Sequence, residues 1–293
     1  MAASQTTIAL RNSTNAEFRA IGAFIYAGLV AGGWTRVATD IDWTTVNAPA
    51  QNTYAGYEVW KSPDETGLTN FYVKLRHGSN NNVAPAYALA YSVSWGWTSG
   101  STLDGIPTTE VTSQASTGAG ASNTRLCTIA AGNGYAAICL GGGAATNGGH
   151  LLIIERTRDA ALASQDELAI VGQYYSAAIA YNNKVYTSDS LEITNSVATN
   201  GSGSWFGSPP ITTAATVSRG AVRLNFMTPG RLYATSPIST YFGFPSAVLG
   251  AAGEQITVPV YGVSHTFMIL GNTGNAPGGY DGTGTFYGLI RFD

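Results

Sequence analysis

Two carboxylates, three imidazoles, two thiols and a few tryptophans are the groups in this sequence that could do chemistry. Asp40 and Asp42 flank Ile41 and precede Trp43. Alternate residues of a strand share a face, so the two carboxyls would point the same way beside an aromatic ring. Glycoside hydrolysis uses two carboxyls about 5 to 9 Å apart on either side of a sugar. Two acids on one strand do not flank a cleft, and turn or surface acids are the expected role. The histidines, His77, His150 and His265, are far apart in sequence. Each would need a nucleophile and an acid brought to it by the fold to act as a base. A hydrogen-bonded structural histidine is the expectation for all three.

Cys127 and Cys139 lie on either side of Gly132-Asn133-Gly134, a turn signal between two apolar runs. A hairpin centred on Asn133 would set the two thiols opposite each other, within geometric reach of a disulfide. Two buried thiols are the preferred reading, because free cysteine is among the most buried residue types. Two cysteines without a nearby histidine match no zinc pattern. There is no Gly-x-Ser-x-Gly elbow, no phosphate loop ending in Gly-Lys-Ser/Thr and no His-Glu-x-x-His. These motifs would have supplied a nucleophile, a phosphate cradle or a metal site. Gly141-Gly142-Gly143 has no lysine after it and reads as a loop. The expectation is a protein that is not an enzyme, with no cofactor and no metal.

Aromatic residues offer recognition instead. Trp95-Gly96-Trp97 and Trp205-Phe206 could stack on sugars, although aromatics also fill β cores and interfaces. Loops rich in Asn, Gly and aromatics suit contacts made without charge. Asn80, Asn81, Asn82, Trp205 and Phe206 are therefore the candidate recognition-loop residues, with a host-surface glycan as the possible ligand.

The elements that must position these groups read mainly as β. The chain has 36 Gly, 16 Tyr, 10 Phe and 6 Trp, a composition of turns and strand-favouring aromatics. Thr14-Asn15-Ala16-Glu17 fits a capping box, and Phe18, Ile21, Phe24, Ile25 and Leu29 follow at helical spacing. Gly32-Gly33 closes that short helix. The face bearing Phe18, Ile21, Phe24 and Ile25 either packs on the first sheet or serves as an assembly surface. Phe71, Val73 and Leu75 alternate with Lys74 and Arg76, and Tyr87 to Trp95 alternates large with small side chains. The run His150 to Arg156 reads as a buried strand emerging at its charged end. The fold expected is all-β, an antiparallel sandwich-like architecture with a short N-terminal helix. The Ser, Thr, Ala and Gly tract from Thr112 to Asn123 suggests a division into residues 1–115 and 116–293, or else one continuous domain.

Only 11% of the residues are charged, against about 25% in an average soluble protein. Monomers keep apart partly through surface charge, so this composition points to a component of an assembly, as a homo-oligomer or among other proteins. A net charge of −3 gives no basic footprint for nucleic acid. The apolar stretch from Ile21 to Trp34 falls short of the roughly 20 residues that span a bilayer. Met1 to Gln5 is neutral and polar, unlike the start of a secretory signal.

Several blocks resemble a group of tailed-bacteriophage virion proteins. They are Gly33-Trp34-Thr35-Arg36-Val37, Ile41-Asp42-Trp43-Thr44-Thr45-Val46, and Asn52 to Trp60 with its Ala-Gly-Tyr-Glu-x-Trp run. Leu151 to Thr157, with its Glu-Arg end, and the closing segments Ile256-Thr257-Val258, Tyr261-Gly262, Ser264-His265-Thr266 and Gly271-Asn272 are similar too. The resemblance implies a structural role in the virion: a tail, baseplate or fibre-attachment component made in the host cytoplasm, with other virion proteins as partners. It implies no catalytic residues. The alternatives are a host-surface glycan-binding module, a glycan-cleaving enzyme and a capsid decoration protein.

Overall fold

The computed structural model describes residues 2–10, 14–63, 66–79, 87–105, 110–114, 124–142, 150–158, 164–175, 182–187, 193–195, 212–217, 220–226, 242–245, 254–260, 263–275 and 285–291. Its first part runs β1 (Ala2–Ala9), α1 (Asn15–Ala31), β2 (Thr35–Thr39), β3 (Tyr54–Lys61), β4 (Tyr72–Ser79), β5 (Tyr87–Ser94), β6 (Gly96–Ser99), β7 (Thr102–Asp104) and β8 (Val111–Gln114). Then follow β9 (Thr124–Gly132), β10 (Tyr135–Gly142), β11 (His150–Arg158), β12 (Ser164–Tyr175), β13 (Asn182–Thr187) and β14 (Ile193–Asn195). The last set is β15 (Thr212–Val217), β16 (Gly220–Phe226), β17 (Phe242–Pro245), β18 (Gln255–Val260), β19 (Val263–Asn275) and β20 (Thr285–Arg291).

These strands form antiparallel sheets, and the fold is all-β, with one short helix among the described residues. The orders are β2-β3-β4-β5-β8, β1-β9-β10-β11-β12-β13-β14 and β15-β16-β17-β20-β19-β18, with β6-β7 as a separate hairpin. The helix begins as its sequence dictates. Thr14 Oγ1 accepts from the Glu17 N–H, and the Glu17 carboxylate accepts from the Thr14 N–H. Gly33 follows the last turn at φ +85°, a left-handed conformation that glycine adopts without strain.

One core joins the helix and the first sheet to the seven-stranded sheet. Phe18, Ile21, Ile25 and Leu29 of α1 meet Trp60, Phe71, Leu75, Tyr87 and Tyr91 on one side and Cys127, Ile129, Ile138 and Ile154 on the other. Phe18, Ile21 and Ile25 are fully buried in this core. They are thereby removed as an assembly surface: the helix packs on its own sheets, and only Phe24 remains half-buried on its flank. Close approach explains two glycines of the helix. A Cβ at Gly22 would overlap the Trp43 ring, and one at Gly28 would overlap Ile129.

β1 pairs along its whole length with β9, from Ala2↔Ala131 to Ala9↔Thr124. Residues before 115 and after 116 therefore share a sheet and a core. On the other face of that sheet, Thr128 Oγ1 lies 3.8 Å from Met268 Sδ of β19.

One sequence expectation, two buried thiols, is borne out here and one is corrected. The β9–β10 hairpin turns on Asn133-Gly134, with Gly132 paired to Tyr135. The centre falls between those two residues and not on Asn133, so Cys127 pairs with Leu140 and Cys139 with Thr128. A one-residue change of partner puts the thiols on opposite faces. Both are buried, and no disulfide joins them. The corrected expectation is the charged end of β11, which does not emerge. Glu155 and Arg156 are buried, and the Arg156 guanidinium sits over the Trp95 ring and donates to the Thr69 carbonyl. The structure also buries both faces of β5, including Ala88, Ala90, Ser92 and Ser94. The β6–β7 hairpin meets that small-residue face, where the Ser94 hydroxyl donates to the Asp104 carbonyl.

Candidate functional site

The acids at 40 and 42 are spent on local structure. β2 stops at Thr39, so neither lies on a strand. Asp40 Oδ1 accepts the Tyr57 N–H at 2.6 Å. Asp42 accepts the Thr44 N–H and hydroxyl on Oδ1 and the Thr45 hydroxyl on Oδ2. Those bonds, led by the Thr44 hydroxyl, hold the Asp42 carboxyl below its ordinary value. The pair is a turn device, as its sequence suggested.

The chemistry-bearing cluster that the fold assembles lies elsewhere, around Glu58. Trp60 and Glu58 share the inward face of β3, His77 continues the inward face of β4, and Tyr87 opens the inward face of β5. β3 and β4 pair with Glu58 opposite Leu75, two residues from His77. The Glu58 side chain is fully buried, as are those of His77 and Tyr87. Glu58 Oε1 accepts from Arg36 Nη1 at 2.8 Å and from Trp43 Nε1 at 3.0 Å. Oε2 accepts from Trp60 Nε1 at 3.3 Å and lies 3.2 Å from His77 Nε2. That last contact is off the line of a hydrogen bond. His77 Nδ1 bonds the Tyr87 hydroxyl, and the Trp43 ring meets His77 edge-on, 4.8 Å between centroids.

Hydroxyl, imidazole and carboxylate thus stand in the order of a nucleophile relay. The surroundings suit a structural part instead. Burial, then the Glu58 charge, push the Tyr87 hydroxyl well above the usual phenol value. All three side chains are closed to solvent. Burial alone would raise the Glu58 carboxyl. The His77, Arg36 and Trp43 contacts outweigh it and hold the group below its ordinary value of 4.5. A buried carboxylate with this many donors ties β2, β3, β4 and the Trp43 loop together.

The aromatic candidates separate in space. Trp95 is buried against Phe71, 4.9 Å between centroids, and is core. Trp97 lies half-buried on the β6–β7 hairpin, against Tyr72, and its Nε1 donates to the Gly100 carbonyl. Asp104, paired to Gly96 beside it, is exposed. Asn80, Asn81, Asn82, Trp205 and Phe206 lie outside the described residues. Among the described residues, no group of three or more His, Cys, Asp or Glu is placed to hold a metal ion.

Sequence reasoning passed over Glu58. The signal was there: a carboxylate on the same parity as Trp60 and an imidazole on the same parity as Val73 and Leu75 are polar groups aimed at a core. Comparison with protein-family models, curated proteins and solved structures finds no match for this chain.

Proposed function

We propose that this chain is a structural component of a bacteriophage virion, placed in the distal tail or baseplate and acting by assembly with copies of itself and other virion proteins. The observation that carries assembly is the outer face of α1. Ala16, Ala20, Ala23, Ala27, Val30 and Ala31 are exposed there, Val30 at 47%. A helix facing water normally carries charge on its outer face. The two charged side chains of α1 are committed elsewhere: Glu17 closes the capping box, and Arg19 donates to the Thr45 and Val46 carbonyls. Three cations of the first sheet are committed in the same way, Arg36 to Glu58, and Lys74 and Arg76 to Glu110. The tail or baseplate position is supported by the sequence resemblance.

Antibody against the chain should decorate intact virions at the tail end in electron micrographs. Unlabelled virions would remove this reading. The half-buried Trp97 beside Asp104 favours, as a second reading, a glycan-binding module. Retention on host-surface glycan that survives Trp97→Ala would end that reading for this hairpin.

A further inference from the structure

Six strands end the three large sheets, and they differ in how their edges are protected. β14 has 3 residues and β8 has 4. β2 has 5 and carries Arg36. β18 has 6 and contains Pro259. β15, also of 6 residues, approaches β18 at the other end of its own sheet. Short edges, charges, prolines and closure are the devices by which proteins prevent strands from adding to a sheet. β1 has none of them. It is the longest of the six at 8 residues, reads Ala-Ala-Ser-Gln-Thr-Thr-Ile-Ala, and contains no charge, proline or glycine.

One edge of β1 is bonded to β9 and the other ends the sheet. Ser4, Thr6 and Thr7 are exposed on it. An antiparallel strand leaves alternate N–H and C=O groups pointing away from its partner. What satisfies such a row is another extended strand. Among the described residues, no strand pairs with that edge.

We infer that β1 pairs edge to edge with β1 of a second copy, antiparallel across a twofold axis, continuing the seven-stranded sheet from one subunit into the next. The occupant is a second copy because the strand is compatible with itself. Its small and hydroxyl side chains bring no like charges together in an antiparallel pair, and Thr and Ser are favourable cross-strand neighbours. A twofold interface of this kind uses the same patch on both subunits. This inference rests on the assembly reading above and names one of its contacts.

The test is hydrogen–deuterium exchange of the full chain at several concentrations, read on the peptide covering residues 2–10, together with sedimentation of the double variant Ser4→Lys, Thr6→Lys. Both positions are exposed, so the variant keeps its fold; unchanged thermal unfolding at high dilution verifies this. The expected result is protection of the β1 amides that rises with concentration in step with association. The variant should lose that rise and associate roughly tenfold more weakly, or worse, because lysines then face each other across the pair. A chain that associates with no change in β1 protection, and whose variant associates as tightly as the parent, overturns the edge pairing and leaves assembly through other surfaces standing. A chain that stays monomeric overturns both.

Discussion

Replacing Glu58 with Ala should unfold this protein more readily than any other single change at the site, at a cost of about 3–5 kcal/mol. The carboxylate is fully buried and serves Arg36, Trp43 and Trp60, with His77 beside it. Removing it leaves the partly exposed Arg36 guanidinium and the Trp43 and Trp60 indole N–H groups without their acceptor, and for the fully buried Trp60 an orphaned donor costs its full desolvation. Denaturant unfolding of the variant at neutral pH gives the number directly. The same residue sets a pH dependence. Its folded value lies below the ordinary 4.5, so the unfolded chain takes up the proton first as pH falls. Stability from Glu58 is therefore complete above that ordinary value and drains away as pH falls through the folded one. Glu58→Gln keeps the shape and loses the charge, so its stability should be lower at neutral pH and flatter across the acid range. A variant as stable as the parent, with the same acid profile, would show that the cluster is not what holds β2, β3 and β4 together.

Phe18→Ala should cost nearly as much, about 3–5 kcal/mol, the range for truncating a fully buried phenylalanine. Its ring lies 5.7 Å from Trp43 and 5.5 Å from Tyr87, centroid to centroid, so it joins the helix to the loop and to β5. Phe24 lies on the flank of the same helix and is only half-buried. Phe24→Ala should accordingly cost less, about 1–2 kcal/mol for the smaller apolar area returned to water. Thermal or denaturant unfolding of the two variants side by side is the measurement. Equal losses would mean that the two flanks of α1 are packed alike, against the burial described above.

Much of this arrangement was legible in the residues. The capping box at Thr14 and Glu17 and the alternation of Phe71, Val73 and Leu75 are local patterns, and local patterns survive folding because their partners are near in sequence. What needed the structure was register. The Asn133-Gly134 turn was recognisable, but the pairing that separates Cys127 from Cys139 depends on which residues close it. Glu58, His77 and Tyr87 come from three strands, and nothing in one sequence says that they meet. β1 carries no large alternating apolar residues, and its partner strand begins more than a hundred residues later, so it offered no periodic signal. Burial of Glu155 and Arg156 runs against the sequence pattern, because a charged pair at a strand end normally marks the surface; here Thr69 and Trp95 receive the arginine.

Sedimentation velocity of the purified chain across the micromolar range, alone and with candidate partner proteins of the proposed assembly, tests the claim of assembly most directly. The outer face of α1 and the low charge predict species larger than the monomer that grow with concentration or with a partner. A single monomeric boundary at every concentration and in every mixture would contradict it.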